Sequence, residues 1–198
     1  MGSSPTWSTV CSFRKYVRMS IERIYMYIVK GTSSSDGKKE TAEWIIEKDI
    51  RTVLDVGAGS GTYAKLLEDN FIMVEKIDAI EIWEPYIEYN DLRSKYSNVF
   101  SDDVRNWNDF NYDLVILGDV LEHMTKEEAV SVWSRVSQMA KHAIISIPII
   151  NYPQGHEHGN PYEEHVKEDW STDEVLKTFT GIISHEEYSV VGVFYATF

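Results

Sequence analysis

The hydrophobic pattern of this chain changes period several times, and each change marks a predicted element. Apolar residues recur at steps of three and four between residues 13 and 28, which predicts an amphipathic helix with a basic opposite side. A Gly- and Ser-rich stretch at 31–37 then predicts a linker. A second helix is expected at about 38–48, leading into the first strand.

From residue 52 onward, short apolar runs alternate with helical patterns, which predicts βαβ units. The uninterrupted apolar run Leu114–Leu117 is typical of a central parallel strand buried on both faces. The fold predicted is an α/β, Rossmann-like, doubly wound sheet of about seven strands, the last one antiparallel, with an N-terminal cap helix. The predicted strands are 52–56, 77–82, 98–101, 112–118, 143–149, 182–188 and 190–197, and the predicted helices after Gly61 include 85–95, 126–141 and 172–179.

The pattern also predicts which faces of two helices reach the core. In the helix at 38–48, Trp44, Ile45 and Ile46 are expected to face inward. In the helix at 126–141, apolar residues are expected along one side. That side consists of Ala129, Val130, Trp133, Val136 and Met139.

A glycine-rich turn joins the first strand to the next helix. Gly57, Gly59 and Gly61 follow the strand, with Asp55 just before them. Glycines let the backbone turn sharply and approach a ligand closely. Dinucleotide folds carry G-x-G-x-x-G around a pyrophosphate, whereas here the third glycine comes one residue early. A ligand-binding loop is the prediction, and a tight turn without a ligand is the alternative.

This strand, loop and helix resemble motif I of the class I S-adenosylmethionine (SAM) methyltransferases. The resemblance covers about residues 42–198 and rests on four motifs at suitable intervals. It implies that SAM is the cofactor and that the loop holds the methionine part. The residues implied for this are Gly57, Ala58, Gly59 and Gly61, with Asp55 behind them.

The acids that follow the second and third strands also have counterparts in the family. Glu81 lies twenty residues beyond the last loop glycine, where nucleoside-binding α/β folds carry an acid that binds the ribose hydroxyls. An exposed carboxylate at a strand end is the alternative. The resemblance implies that Ile82 packs against adenine, and that Asp103 and Val104 bind its amino group and ring nitrogen. Asp102 competes with Asp103, because the double Asp leaves the register open by one residue.

A second set of chemically capable residues, 118–123, follows the fourth strand. In open α/β sheets, ligands bind outside the carboxyl ends of the strands. The resemblance implies that the Gly118 carbonyl or the Asp119 carboxylate receives the amino group of SAM. His123 and His165 are the candidate catalytic bases for an oxygen acceptor, since imidazole titrates near physiological pH.

The same residues resemble a metal site. The pattern Asp119-x-x-Glu122-His123 with His165 is similar to the acid-x-x-Glu-His…His set of ubiquinone-pathway O-methyltransferases and, more loosely, of small-RNA 2′-O-methyltransferases. It implies that these four residues bind a divalent metal such as Mg²⁺ or Mn²⁺, although Asp119 stands where the family has Glu. The alternative is that Glu122 and His123 begin a helix and orient nearby loops through hydrogen bonds.

The segment 151–170 is long, rich in Gly, Pro and His, and has little periodicity. Long irregular connections at a ligand edge are usually functional loops or lids. The segment contains His165. His156 and His158 are expected to lie in the flexible loop and not to bind metal.

The acidic composition limits the partners. A formal net charge of −13 argues against binding a nucleic-acid backbone, which needs clustered Lys and Arg. The stretch 12–30 is locally basic, so weak membrane-surface contact through the N-terminal helix, or a grip on RNA, is an alternative there. A small neutral or cationic acceptor, such as a sugar or a phenol, fits the remaining surface better.

Cys11 is the single cysteine, which excludes an internal disulfide and favours a reducing, cytoplasmic location. No apolar run approaches the roughly 18 residues that span a bilayer, so no transmembrane segment is expected. The predicted organisation is a tail with a cap helix at 1–37 and a SAM-binding methyltransferase domain at 38–198.

Together these features predict a SAM-dependent methyltransferase that acts by in-line displacement on a small hydroxylated or amino acceptor, with oxygen favoured over nitrogen. Three alternatives stay open: a SAM-binding module without catalysis, an RNA 3′-end 2′-O-methyltransferase, and a nicotinamide oxidoreductase. The short glycine spacing speaks against the last of these. The identity of the acceptor and the oligomeric state have no signal in the sequence.

Overall fold

The computed structural model describes residues 34–157 and 159–198. The predicted cap helix, the basic stretch, Cys11 and His158 lie outside the described residues, so the predicted domain boundary at residue 37 stays a prediction. Within the part of the chain that the structure describes, no helix has both the length and the apolar character needed to cross a membrane.

A single seven-stranded sheet organises the described residues. Its strands are β1 (Thr52–Val56), β2 (Lys76–Ile80), β3 (Asn98–Phe100), β4 (Leu114–Gly118), β5 (His142–Pro148), β6 (Ile182–Glu187) and β7 (Val191–Thr197). They lie in the order β3-β2-β1-β4-β5-β7-β6, with β1 to β5 parallel and β7 antiparallel to both of its neighbours. The predicted doubly wound sheet with an antiparallel end is confirmed, and the chain order reverses between β1 and β4.

Helices cover both faces of the sheet. They are α1 (Lys38–Glu47), α2 (Thr62–Asp69), α3 (Glu84–Tyr89), α4 (Leu92–Lys95), α5 (Lys126–Met139) and α6 (Thr172–Thr178), with short 3₁₀ turns at Leu121–His123 and Pro161–Glu163. In β4, Val115 and Leu117 pack in the core with α5 and α6, while Leu114 and Ile116 pack with α1 and α2. Every residue of β4 is buried, because alternate side chains point into the two cores.

A capping box fixes the start of α5, directly after the 3₁₀ turn that carries two of the candidate site residues. The Thr125 hydroxyl accepts a hydrogen bond from the Glu128 backbone N–H, and the Glu128 carboxylate accepts one from the Thr125 N–H. These reciprocal bonds satisfy two of the free donors at a helix start. The turn at Leu121–His123 is therefore held between β4 and a well-defined helix end.

The inward-facing side chain predicted for Ile46 is wrong, and two residues of the apolar side predicted for α5 are exposed. Ile46 is 62% exposed, Val130 is 41% exposed and Met139 is 44% exposed, whereas Val132 is fully buried in the place predicted for Val130. Adjacent residues on a helix point about 100° apart, so Ile46 and Val130 point away from Ile45 and Ala129, which reach the core. Met139 is the last residue of α5.

The single helix predicted at 85–95 is wrong, because α3 ends at Tyr89 and α4 begins at Leu92. Between them Asp91 has φ +47°, a left-handed conformation that Asp tolerates better than most residues. The Asn90 side chain donates a hydrogen bond to the Gly59 carbonyl at 2.9 Å. A tertiary contact to the glycine loop thus accompanies the break.

Candidate functional site

The register of the sheet brings the predicted segments to one edge. Val56 pairs with Ile80 on one side and with Leu117 on the other, and Ile80 pairs with Phe100. When parallel strands are aligned in this way, the residues that follow each strand lie at the same carboxyl edge of the sheet. The residues at this edge are the glycine loop 57–61, Glu81, the stretch 102–104 and Gly118-Asp119.

The glycine loop depends on a backbone that other residues rarely adopt. Gly57, Gly59 and Gly61 have φ values of +68°, +51° and +79°. A Cβ atom at Gly57 would lie 2.7 Å from a methyl group of Val120, so close packing also excludes a side chain there. The Gly61 N–H donates to the Ala58 carbonyl at 2.7 Å and closes the turn. The loop is therefore a tight, preformed cradle.

Side chains from α3 and α4 hold the outer side of this loop. Asn90 donates to the Gly59 carbonyl, and the Lys95 ammonium donates to the Ser60 carbonyl at 2.9 Å. Sequence reasoning missed both residues because neither belongs to a motif. They are recognised only when the fold brings them to the loop.

Glu81 lies against the glycine loop and is buried. One carboxylate oxygen accepts a hydrogen bond from the Gly59 N–H and the other from the Trp83 N–H, each at 2.8 Å. Burial raises the pKa of Glu81, while these two backbone donors lower it. Each oxygen of a carboxylate has a second lone pair, so Glu81 retains the capacity to bind ribose hydroxyls.

Asp55 is buried behind the loop and accepts a hydrogen bond from a tyrosine that the sequence analysis missed. The Tyr96 hydroxyl donates to Asp55 Oδ2 at 2.5 Å. Burial raises the pKa of Asp55 to about 7, against the hydrogen bond from Tyr96 and the charge of Lys38, which lower it. Asp55 therefore lies in the core, next to the start of the loop in sequence, with one oxygen bound to Tyr96.

The acids after β3 differ in their partners. Although burial raises the pKa of Asp103, hydrogen bonds from Arg105 hold it below its usual value. The guanidinium binds both carboxylate oxygens, with Nη2 at 2.7 Å from Oδ2. Asp102 is exposed and accepts a hydrogen bond from the Asp103 N–H at 2.7 Å. Val104 is buried and Ile82 is half-buried, and the adenine-binding roles of these residues stay predictions.

Asp119 has an unusual backbone and an unsatisfied oxygen. Its φ is +55°, and its Oδ1 accepts a hydrogen bond from the Ser146 hydroxyl at 3.3 Å. Its Oδ2 is buried and has no hydrogen-bond partner among the described residues. Buried polar atoms are nearly always paired, so this oxygen indicates a ligand group that donates hydrogen bonds.

Glu122, His123 and His165 form a compact group next to Asp119. One ligand atom from each of the three lies within 4.8 Å of the others, and the two imidazole centroids are 4.9 Å apart. Glu122 is 1% exposed, and its Oε2 has no hydrogen-bond partner among the described residues. Burial, followed by the charge of Asp119, raises the pKa of Glu122 well above its usual value. Asp119, the fourth predicted metal ligand, is not part of this group.

Both imidazoles are oriented by backbone carbonyls. His123 Nδ1 lies 3.1 Å from the Glu164 carbonyl oxygen, and His165 Nδ1 lies 2.6 Å from that of Tyr152. A carbonyl only accepts, so we assign the proton to Nδ1 in each ring, which leaves the Nε2 lone pair for a metal or a proton. Burial lowers the pKa of His165, partly offset by the Tyr152 carbonyl.

The segment 151–170 delivers His165 to this group by folding back over the sheet edge. The backbone N–H groups of Val166 and Lys167 both donate to the Glu122 carbonyl, at 2.9 and 3.0 Å. His156 pairs with Glu164 at 3.2 Å and is not one of the three grouped residues.

The same segment also reaches the ribose side of the edge. The Tyr86 hydroxyl donates to Glu163 Oε1 at 3.0 Å, and the rings of Trp83 and Tyr162 have centroids 6.1 Å apart. The segment thus links the histidine pair to the surroundings of Glu81.

Comparisons with known proteins concern the family and the fold. A family model described as a methyltransferase domain matches residues 54–144. The matched part includes the glycine loop, Glu81 and the residues 118–123, and it ends before the segment 151–170. No curated protein sequence matches the chain.

Several solved structures share the fold. The N-terminal domain of EvdMO1, with S-adenosylhomocysteine (SAH) bound, is 14% identical, with a TM-score of 0.60 over 83% of this chain and 82% of that one. The mitomycin 7-O-methyltransferase MmcR is 15% identical, with a TM-score of 0.58 over 83% of this chain and 55% of its own. The methyltransferase domain of bacterial CtHen1 is 16% identical, with a TM-score of 0.58 over 81% of this chain and 97% of its own. At these identities the likeness shows the fold alone.

Proposed function

We propose that this protein, a SAM-dependent methyltransferase with the class I methyltransferase fold, transfers the methyl group of SAM to a hydroxyl group of a small molecule. The observation that carries the proposal is the group Glu122, His123 and His165 beside Asp119, at the sheet edge that also carries the glycine loop. A binding module has no need for two oriented imidazoles at that place. The name of MmcR, a 7-O-methyltransferase of the same fold, supports an oxygen acceptor.

The strand ends fit the parts of SAM. The left-handed glycine loop allows close approach of the methionine part, and the spare lone pairs of Glu81 suit the ribose hydroxyls. The unpaired Asp119 Oδ2 suits the ammonium group. SAM supplies a methyl group on an activated sulfonium, and the protein aligns donor and acceptor, which is worth roughly 7–11 kcal/mol. The proposed cofactor-binding residues are Asp55, Gly57, Ala58, Gly59, Gly61, Glu81, Ile82, Asp103, Val104, Gly118 and Asp119.

The histidine pair removes the proton of the acceptor hydroxyl. Burial lowers the pKa of His165, so its imidazole is uncharged at neutral pH and its Nε2 accepts a proton. The Tyr152 carbonyl holds the ring in the tautomer that this requires. His123 presents its Nε2 in the same way.

As an alternative to this general-base role, the same group would hold a divalent cation such as Mg²⁺ or Mn²⁺, with the Nε2 lone pairs bound to the metal. The orphaned Glu122 Oε2 and the two Nε2 atoms fit a carboxylate and imidazole ligand set, and carbonyls bound to Nδ1 are typical of metal-binding histidines. Such a cation supplies Lewis acidity that lowers the pKa of a bound hydroxyl. Asp119 lies outside the three-residue group, and its free oxygen is better explained by the ammonium of SAM.

The charge of the acceptor side favours a neutral or cationic small molecule. Segment 151–170 carries five acidic residues against one lysine, Lys167. An acidic surface repels phosphate groups, so phosphorylated acceptors and RNA are disfavoured there. Sugars and phenols fit this charge better.

The test separates donor binding from turnover. His123→Ala and His165→Ala are each expected to leave the SAM dissociation constant, measured by calorimetry, within about twofold, and to lower methyl transfer to a panel of sugars and phenols by about 10²- to 10⁴-fold. His156→Ala is the matched control, because His156 lies outside the group, and should have full activity.

Two outcomes would contradict parts of the proposal. A wild-type protein that binds SAM and methylates no member of the panel would favour the module without catalysis, and activity restricted to RNA 3′ ends would favour the RNA alternative. If EDTA leaves transfer intact while either histidine variant loses it, the metal is excluded and the general base remains.

A further inference from the structure

Lys38, the first residue of α1, lies at the carboxyl end of β4. Its ammonium is 3.0 Å from the Tyr63 hydroxyl and 4.3 Å from the centre of the Tyr63 ring. Tyr63 in turn lies directly over Gly118, where an added Cβ would come within 2.3 Å of the Tyr63 ring and 2.7 Å of its hydroxyl. These contacts bring the Lys38 ammonium beside the residue that precedes Asp119.

The start of α1 is held firmly on the sheet, so the position of Lys38 is not that of a loose surface lysine. A Cβ at Gly37 would lie 2.5 Å from a methyl group of Val193 in β7. In the same first turn of the helix, Glu40 accepts a hydrogen bond from the Tyr188 hydroxyl at 3.1 Å. The packing of α1 therefore directs Lys38 to the sheet edge.

Lys38 has no closely paired anion in the part of the chain that the structure describes. Burial lowers the pKa of Lys38, while the charges of Asp119 and Asp55 raise it. Among the described residues, no carboxylate oxygen lies within 4 Å of its ammonium. A partly buried cation in this position is stabilised by an anionic ligand.

We propose that Lys38, with the Tyr63 hydroxyl beside it, binds the α-carboxylate of the methionine part of SAM, while Asp119 binds the α-ammonium. This inference rests on the SAM binding proposed above. The two groups of the amino acid are attached to one carbon, so they need a cation and an anion side by side. Lys38 and the unpaired Asp119 Oδ2 supply that pair, and Asp119 is the first charge that raises the pKa of Lys38.

In this arrangement, Lys38 makes the site select ligands that carry the α-carboxylate as well as the α-ammonium group. A ligand without the carboxylate leaves the ammonium of Lys38 without its anion. Charge-assisted hydrogen bonds are the strong class of such contacts, so the loss is measurable as affinity.

The experiment compares two ligands in calorimetry: SAH, and its decarboxylated analogue S-adenosyl-3-thiopropylamine, which keeps the ammonium. Lys38→Met is expected to lower the affinity for SAH by about 10- to 100-fold and to change the affinity for the analogue by less than about twofold. Lys38→Arg, which keeps the charge, should retain most of the preference for SAH.

Lys39→Met is the matched control, because Lys39 is exposed and pairs with Glu43 on the outer side of α1. It should bind both ligands as the wild type does. Equal weakening of both ligands by Lys38→Met, or an unchanged affinity for SAH, would overturn the inference. Failure of the wild type to bind either ligand would instead refute the proposed function, so the two failures are distinguishable.

Discussion

The three acids that end or follow β1, β2 and β4 differ in what their oxygens bind. Asp55 accepts a hydrogen bond from Tyr96, Glu81 accepts two backbone hydrogen bonds, and Asp119 has one buried oxygen without a partner in the described part of the chain. All three side chains carry a carboxylate, yet of the three only Asp119 has a buried oxygen, Oδ2, that still needs a hydrogen-bond donor. At the scale of single residues, the surroundings of each acid therefore decide which of them has a buried oxygen left to accept a hydrogen bond from a ligand.

Glu81→Ala is expected to weaken SAM binding by about 10- to 100-fold, because it removes the hydrogen-bond acceptor for the ribose hydroxyls and releases the Gly59 N–H from its partner. The dissociation constant is measured by calorimetry. Glu84→Ala, an exposed acid in the first turn of α3, is the control and should bind normally. A Glu81 variant with normal affinity and reduced turnover would show that the acid acts elsewhere.

Among the elements, the segment 151–170 does most to complete the site. Its described residues contain no helix beyond a single 3₁₀ turn, so its position depends on contacts with other elements. Backbone bonds to Glu122 hold the part near His165, and the hydroxyl of Tyr86 holds Glu163 on the ribose side. The segment therefore couples the histidine pair to α3.

Tyr86→Phe removes one of these contacts without removing the ring. Amide hydrogen exchange of residues 159–166 is expected to become several-fold faster, and the KM for the acceptor is expected to rise, since the segment is less well held. Tyr188→Phe is the matched control, because it removes an equivalent bond to Glu40 away from the segment. Equal exchange in the two variants would show that the Tyr86 contact does not anchor the segment.

On the scale of the whole molecule, buried acids make stability depend on pH. Asp55 has a pKa of about 7 in the folded protein against an ordinary value of 3.8, mainly because of burial. The folded state therefore holds this proton more tightly than the unfolded state. Its contribution to stability is largest below about pH 4 and is lost as the pH rises to 7.

Asp55→Asn removes this titration. The free energy of unfolding of the wild type, minus that of the variant, is expected to fall as the pH rises from 4 to 7, by up to about 4 kcal/mol, and to be constant above. Urea unfolding at four pH values measures it. A difference that is independent of pH would show that Asp55 ionises normally in the folded protein.

The local pattern of the sequence was enough to predict the sheet, the glycine loop and the position of Glu81 after the second strand. Glycine conformations, strand runs and the spacing to the next strand are properties of neighbouring residues, so short-range sterics and hydrophobic periodicity encode them. The break between α3 and α4 was not predicted, and the Asn90 hydrogen bond that accompanies it goes to a residue distant in the sequence. The exposure of Ile46 was not predicted, because the run Trp44-Ile45-Ile46 does not show which of its residues the rest of the fold covers.

Only the tertiary structure decided which distant residues meet at the strand ends. His165 reaches His123 because the segment 151–170 folds back on Glu122, and Lys38 reaches Gly118 because α1 packs on β7. The residues Asn90, Lys95 and Tyr96 bind the loop or Asp55 without belonging to any motif. Such meetings depend on the path of the whole chain, which no local pattern contains.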